Sequence, residues 1–371
     1  MKPRITIIYG TRPEVIKLSP VVDALRRADS FQLTLVHTGQ HDTLTDDLVR
    51  TLKMEPDLHL SKPPYSSTDV GQLLGLMQTV SEVLEDLVPD LILVQGDTAS
   101  ALAGAMAGHY QKIPVAHLEA GLRSHDRSQP FPEETNRILI SSLADLHFAP
   151  TQTAADQLIR EHVDRESVFM TGNSITDALY SMLKTPNDSE QSLRKKYNLG
   201  DHKLVLLTTH RRENLGNPQR RILQAVIRLA NMRPDVVILW PVHPNPEIRR
   251  VLEELQLPLN VRTIPPLSYV HFIPLLHMAD LVLTDSGGIQ EEAPALGVPV
   301  VVLREKTERQ EVIDAGLGVL AGSHPDQILE ASNRFLSSSP VSPVQLYGDG
   351  TTSQKVVHHI KEWFKMTRNK D

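Results

Sequence analysis

Not one of the 371 residues is a cysteine. That absence removes disulfides, thiolate nucleophiles and Cys-ligated zinc or iron–sulfur sites, and it fits a cytoplasmic chain. Long apolar runs are missing too. No uninterrupted stretch approaches the roughly 18 residues that a membrane span needs, and the apolar part of the N-terminus, Ile5 to Tyr9, is too short for a signal peptide. Positive charge is in deficit, with 38 Lys and Arg against 45 Asp and Glu and a formal net charge of −7. With no long basic stripe, the chain is not expected to wrap nucleic acid, and any phosphate it binds belongs to a small ligand. A dinucleotide fingerprint is lacking as well. The nearest match to G-x-G-x-x-G, "GLGVLAG" at Gly316 to Gly322, has one residue too many before its last glycine and follows no clear strand. No tightly held NAD, and no other cofactor, is expected.

What is present reads as a globular protein of two domains. The chain is 40% apolar and 22% charged, the balance of an ordinary folded protein, and it is long for one hydrophobic core. Short runs rich in Val, Ile and Leu recur between segments of helical periodicity. They are Ile5–Tyr9, Leu33–His37, Leu91–Gln95, Val115–Leu118, Val168–Thr171, Leu204–Thr209, Val236–Trp240, Leu281–Thr284 and Val298–Leu303. Such alternation predicts parallel sheets with crossover helices. We expect an α/β fold of two doubly wound, Rossmann-like domains facing each other across a cleft. The polar stretch "KTPNDSEQ" from Lys184 to Gln191 separates the halves, with the boundary as early as Gly172; residues 1–170 and 171–352 are taken as the domains. The last segment, "TTSQKVVHHIKEWFKMTRNKD", opens on capping candidates and places Val356, Val357, Ile360, Trp363 and Phe364 on one helical face. Residues 353–371 are expected to pack back over the first domain.

Ligands of doubly wound sheets bind beyond the carboxyl ends of the strands, so the residues there matter most. "GTRPEVIKLSPVV" sets Arg12 and Lys17 near a helix N-terminus, where they serve equally well as solvated charges of a capped surface helix. In "LILVQGDTASALAGAMAG", Asp97 follows a buried strand, where the plainest reading is a helix N-cap. "VAHLEAGLRSHDRSQPFPEETNR" ends a strand with Glu119 and starts a helix with Pro132, Glu133 and Glu134. Those last two acids also complement a helix dipole, worth about 0.3–1 kcal/mol. His117 and Glu119 alternate on one strand face, but no third ligand at metal spacing follows, and no metal is expected. In the second half "LVLLTTHRRENLG" ends a strand with His210, then Arg211, Arg212 and Glu213. "LVLTDSGGIQEEAPALGVPVVVL" supplies a Ser286, Gly287, Gly288 turn that offers bare backbone N–H groups to an anion at a helix N-terminus. Glu291 and Glu292 follow, with Glu291 read as facing solvent, and "REKTERQE" adds Arg309.

Eight segments, "GTRPEVIK", "QGDT", "HLEAGLRS", "PFPEETNR", "THRRENLG", "PVHPNP", "TDSGGIQEEAP" and "TER", stand in this order over almost the full length. Together they resemble the non-hydrolysing UDP-N-acetylglucosamine 2-epimerase family. The resemblance implies the GT-B-like architecture of many nucleotide-sugar glycosyltransferases, a homodimer, and interconversion of UDP-GlcNAc and UDP-ManNAc for cell-surface polysaccharide precursors. It places Asp97, Glu119, Glu133 and His210 on the family's catalytic positions. Arg12, Lys17, Ser286, Gly287, Gly288 and Arg309 fall on UDP contacts, Glu292 on the ribose diol, and Phe272 on the uracil pocket. Gln40, Glu134, Arg211 and His243 match positions that hold a second, activating substrate molecule.

The chemistry accounts for an acid-rich, cation-rich set. No carbonyl acidifies the C2 proton of this sugar, so simple deprotonation is prohibitively slow, and transient oxidation wants a nicotinamide for which there is no fingerprint. Elimination remains: a base removes the C2 proton while UDP leaves C1, and UDP returns after a proton reaches the other face of C2. One positioned acid or base supplies about 10²- to 10⁴-fold, so several must act together, with water excluded by closure of the domains.

Three departures from the family pattern stand out. Thr43 replaces a longer polar residue, "SKPPYSSTDV" lacks an arginine, and Gln310 replaces a proline. The first two argue against activation by substrate. A relative acting on a modified sugar, a glycosyltransferase of similar architecture and a non-catalytic nucleotide-sugar sensor are the alternatives.

Overall fold

A computed structural model describes residues 1–40, 46–61, 68–184 and 189–368. Thr43 and most of "SKPPYSSTDV" lie outside these residues. The described chain builds two all-parallel sheets. The first contains β1 (Arg4–Tyr9), β2 (Gln32–His37), β3 (Leu58–His59), β4 (Leu91–Gln95), β5 (Val115–Leu118), β6 (Leu146–Ala149) and β7 (Val168–Met170). The second contains β8 (Lys203–Thr208), β9 (Val236–Pro241), β10 (Val261–Ile264), β11 (Leu281–Thr284), β12 (Val300–Val302) and β13 (Gly318–Leu320). The central strands are buried on both faces: Ile5, Ile7 and Ile8 of β1 and Leu204 to Leu207 of β8 have no exposed surface. This is why they read as continuous apolar runs rather than as alternation.

The strand orders are β3-β2-β1-β4-β5-β6-β7 and β10-β9-β8-β11-β12-β13. In each sheet the chain first winds outward one way, then returns to the centre and winds the other way. The reversal falls between β1 and β4, paired Ile5 to Leu91, and between β8 and β11, paired Thr208 to Thr284. The crevice beyond such a switch point is where doubly wound sheets take ligands.

The chain divides into two compact units, Met1–Ala178 with Tyr347–Asp371, and Leu179–Leu346. The helix Thr352–Arg368 belongs to the first unit. Its Val356 and Ile360 are fully buried, and the Phe364 ring lies 5.9 Å from that of Phe31. Asp177 closes its N-terminus, accepting the backbone N–H of Thr352 at 3.2 Å and of Ser353 at 2.9 Å.

Four strands escape a reading by apolar runs. β3 has two residues and both are exposed, β10 is an edge strand exposed at Thr263, and β6 is interrupted by His147. β13 lies inside "GLGVLAG", where the glycines conceal it. Among the described residues no helix is long and apolar enough to cross a membrane, and no group of three or more His, Asp or Glu side chains could hold a metal ion.

Candidate functional site

In the first unit the turn after β1 touches the turn after β4. A Cβ at Gly10 would lie 2.2 Å from both Ser100 Oγ and Thr38 Oγ1, so only glycine fits. Ser100 in turn donates to Gln40 Oε1 through its N–H at 2.9 Å and its hydroxyl at 2.6 Å, which commits Gln40 to this junction. Glu14, wholly buried, ties the two turns together: it accepts Gly10 N–H at 3.1 Å and the Thr98 hydroxyl at 2.8 Å. Burial raises its carboxyl to about 7 despite these hydrogen bonds. Arg12, the first residue of the helix Arg12–Ala28, is exposed.

Asp97 is not the N-cap of the helix that follows β4. Thr98 takes that place, accepting Ala101 N–H at 3.0 Å, because its hydroxyl sits one residue nearer the orphaned amides. Asp97 instead faces Arg137, whose Nη2 lies 2.6 Å from its carboxylate. The same guanidinium donates to Glu134 at 2.9 Å. Glu134 also accepts the N–H groups of Ser124 and His125 at 3.0 Å. It therefore organises the loop between β5 and the helix Glu133–Leu143. Glu133, beside it, is half-buried at the first position of that helix.

Glu119 follows β5 with φ of 63°, in the left-handed region that a side chain with a Cβ rarely adopts. The turned backbone brings its carboxylate to three donors. Lys17 Nζ pairs with Oε2, Gln95 Nε2 donates to it at 2.9 Å and Asn173 Nδ2 at 3.1 Å. Lys17 and Glu119 are each 7% exposed at the side chain. His117, two residues earlier, does not share this cluster. Its Nε2 meets Gly96 O at 2.7 Å, and burial pushes its pKa down to about 3, which keeps it neutral. It anchors the turn that carries Asp97.

The second unit places its predicted residues around the β8/β11 switch point. His210 follows β8 with its side chain 40% exposed, and Nδ1 lies 3.0 Å from the buried carboxylate of Asp285. Burial alone would raise the Asp285 pKa; the facing His210 imidazole and the donors around it hold it down at about 2. The His243 ring stacks at 6.1 Å from His210, and its Nδ1 accepts Asn245 N–H at 3.2 Å. Arg211 donates Nε to Asp285 O at 3.3 Å.

Next comes the helix Gly287–Ala295, with Ser286 as N-cap residue and no side-chain cap hydrogen bond. The amides of its first turn are thus not closed off by a side chain, which suits an anion. A Cβ at Gly287 would fall 2.8 Å from the Arg309 guanidinium, whereas one at Gly288 would meet nothing within 4 Å. Glu291 does not face solvent. It is buried, 1% exposed, and accepts Arg309 Nε at 2.7 Å, because burying that guanidinium demands a counter-charge. Arg309 also pairs with Glu308. Glu308 pairs with the buried Arg304 at 2.8 Å, and Arg304 with Glu213 at 2.8 Å. Glu292 is buried against the Tyr269 hydroxyl at 2.7 Å. Phe272, half-buried, lies one turn further along the helix Tyr269–His277.

Reading strand ends alone passes over the partners: Gln95, Arg137, Asn173, Tyr269, Asp285 and Glu308. Asp285 had a visible signal, since it directly precedes the Ser-Gly-Gly turn. Asn173 and Tyr269 carry no comparable mark in the sequence.

A family model described as UDP-N-acetylglucosamine 2-epimerase matches residues 23–361. The chain belongs to the UDP-N-acetylglucosamine 2-epimerase family. It is similar to the UDP-N-acetylglucosamine 2-epimerase of Yersinia pestis, 38% identical over 96% of this chain and 98% of the relative. The enzyme of that name from Escherichia coli strain K12 is 37% identical over 96% and 98%. The crystal structure of UDP-GlcNAc 2-epimerase from Neisseria meningitidis bound to UDP-GlcNAc superposes with a TM-score of 0.90 at 34% identity, covering 97% of this chain and 100% of that one. An epimerase of this family is an enzyme with the two-sheet α/β architecture described above.

Proposed function

We propose that this epimerase interconverts UDP-GlcNAc and UDP-ManNAc by eliminating and re-adding UDP, without hydrolysis and without a cofactor, and that the product feeds cell-surface polysaccharide synthesis in the cytoplasm. The observation that carries the reading is the pairing of chemistry with topology. Each sheet reversal bears both a proton-transfer candidate and a place for negative charge: Asp97 and Glu119 with Arg12 and Lys17, His210 with the open helix N-terminus at Ser286, Gly287 and Gly288.

In the forward direction a base among Asp97, Glu119, Glu133 and His210 takes the C2 proton. The C–H electron pair forms the C1=C2 bond as the C1–O bond to UDP breaks, giving 2-acetamidoglucal and UDP. A proton then reaches C2 from the opposite face, and the UDP oxygen re-attacks C1. Lys17 is shared between Glu119 and the diphosphate, so arrival of the anion draws the cation away from the carboxylate and frees it to act as a base. Arg12, Arg309 and the helix N-terminus hold the diphosphate, Glu292 accepts from the ribose hydroxyls, and Phe272 lies against uracil. Gln40, Glu134, Arg211 and His243 are the positions at which the resemblance would place a second, activating substrate molecule; Thr43 and the lack of an arginine in "SKPPYSSTDV" argue against that activation.

A homodimer fits an exposed apolar face. Val70, Leu74 and Tyr110 are 68%, 59% and 77% exposed, beside a shallow pocket of about 340 Å³ lined by Met77, Gln78, Ser81, Met106, Ala107 and Tyr110.

Proton NMR with UDP-GlcNAc in deuterated water tests the reaction: UDP-ManNAc appears and C2 gains deuterium. With oxygen-18 between C1 and phosphorus, the label scrambles into non-bridging positions. Turnover with no deuterium at C2 and no scrambling would sink the mechanism, and a glycosyltransferase yields neither.

A further inference from the structure

Asp285 is fully buried, and its two oxygens are unequally loaded. Oδ2 accepts from His210 N, Arg211 N and Asn214 Nδ2, each at 3.0 Å. Oδ1 faces His210 Nδ1 at 3.0 Å, with His210 N–H at 3.1 Å. A carboxylate can only accept, so the Nδ1 that faces it carries a proton, and the neutral ring then has a bare Nε2. His243, 6.1 Å away ring to ring, is beyond hydrogen-bonding distance and spends its own Nδ1 on Asn245. Asp285 also begins the anion turn, since Ser286 follows it and Arg211 Nε holds its carbonyl at 3.3 Å.

We propose that Asp285 is a positioning residue that fixes the tautomer of His210, keeping the proton on Nδ1 and presenting Nε2 as the nitrogen that exchanges protons with the nucleotide sugar. The proposal rests on the acid–base role given to His210 above. Because the same residue starts the Ser-Gly-Gly turn, it also fixes the imidazole relative to the amides that receive the diphosphate. No separate hinge or linker intervenes between the two.

The donor count predicts what an amide does in its place. In Asp285→Asn the oxygen stays where three donors converge, and the NH2 group takes the position of Oδ1, against His210 Nδ1. An N–H there demands an acceptor, so the ring proton moves to Nε2, the wrong tautomer for the proposed exchange.

The test uses the full chain with nitrogen-15 histidine and long-range proton–nitrogen correlation at a pH where the ring is neutral, the His210 signals being assigned by their loss in His210→Gln. We expect the Nδ1–H form in the wild type and the Nε2–H form in Asp285→Asn. Turnover should show kcat down by about 10²-fold or more, with KM for UDP-GlcNAc within about threefold because the phosphate contacts remain. An Nε2–H wild type overturns the proposal, even if Asp285→Asn fails to fold. So does a variant that switches tautomer and keeps wild-type kcat. Wild-type turnover by His210→Gln is a different failure: it removes the role of His210 in the reaction, while the tautomer measurement still decides whether Asp285 sets the ring.

Discussion

Replacing Glu119 by Gln is the sharpest probe of the first unit, because it changes charge without changing backbone demand. Both residues must adopt the same left-handed φ of 63°, so any cost of order 1–3 kcal/mol stored there is common to both proteins. What changes is the partner of Lys17. Lys17 and Glu119 are each 7% exposed at the side chain, and breaking such a buried pair costs about 3–5 kcal/mol because the remaining charge stays uncompensated. The amide keeps one acceptor for Lys17, Gln95 and Asn173, which places the expected loss near the lower end, about 3 kcal/mol. For a unit of roughly 200 residues this is a Tm drop of about 6–12 °C. Turnover should fall about 10²- to 10⁴-fold if the carboxylate also transfers the proton.

A double-mutant cycle separates the two effects. Lys17→Met removes the cation, so the double variant Lys17→Met, Glu119→Gln should be less destabilised than the sum of the singles, by calorimetry or urea titration. Additive losses, with a Glu119→Gln Tm equal to that of the wild type, would refute the buried pair as the organiser of this turn.

Other outcomes follow from single contacts. The Glu14 carboxyl, raised from 4.5 to about 7 by burial, holds its proton more tightly folded than unfolded. Its contribution is therefore fully present below about pH 4.5 and is lost as pH rises through 7; urea midpoints of the wild type should fall relative to Glu14→Gln across that window, and parallel curves would contradict it. Gly287→Ala should displace the Arg309 guanidinium 2.8 Å from the new Cβ and weaken UDP binding in calorimetric titration. Gly288→Ala, with open space around its Cβ, should keep thermal stability within about 0.5 kcal/mol. Leu74→Glu puts a charge on the exposed apolar face proposed for a homodimer and should shift sedimentation toward monomer; a variant as dimeric as the wild type would place the interface elsewhere, and a monomeric wild type would remove the dimer.

The sequence made the strand ends legible because a buried parallel strand is a run of Val, Ile and Leu that stops where the chain turns. β1, β4, β8 and β11 all announce themselves this way, and they flank both sheet reversals. The edge strand β7 does so too, but β3 is two exposed residues, β10 exposes Thr263 and β13 is cut from a glycine-rich segment. Side-chain partnership was not legible in the same way. Asp97 and Glu291 could each serve two ends, and the structure assigns them opposite to the simplest reading. Asp97 yields the cap to Thr98, and Glu291 turns inward to Arg309. In both cases the carboxylate's partner is an arginine distant in sequence, and no local pattern encodes that arginine's reach.

The same arginine geometry bears on how the diphosphate is recognised. Glu213, Arg304, Glu308, Arg309 and Glu291 form a chain of ion pairs with three carboxylates and two guanidinium groups. Arg309 therefore brings no surplus charge to an anion at the Ser286 turn; its value lies in a planar fork whose donors hold Glu291 and Glu308 together beside that turn. A lysine keeps the charge and loses the fork. Its single ammonium cannot span both carboxylates and a phosphate oxygen, so Arg309→Lys should weaken UDP nearly as much as Arg309→Ala. The loss of one charge-assisted hydrogen bond, about 1.5–3 kcal/mol, corresponds to roughly 10- to 150-fold in Kd. Because the pairs are buried, that loss should change little between low and moderate salt. Calorimetric titration of both variants with UDP decides it: wild-type affinity in Arg309→Lys would mean that net charge, rather than the fork, is what the diphosphate reads.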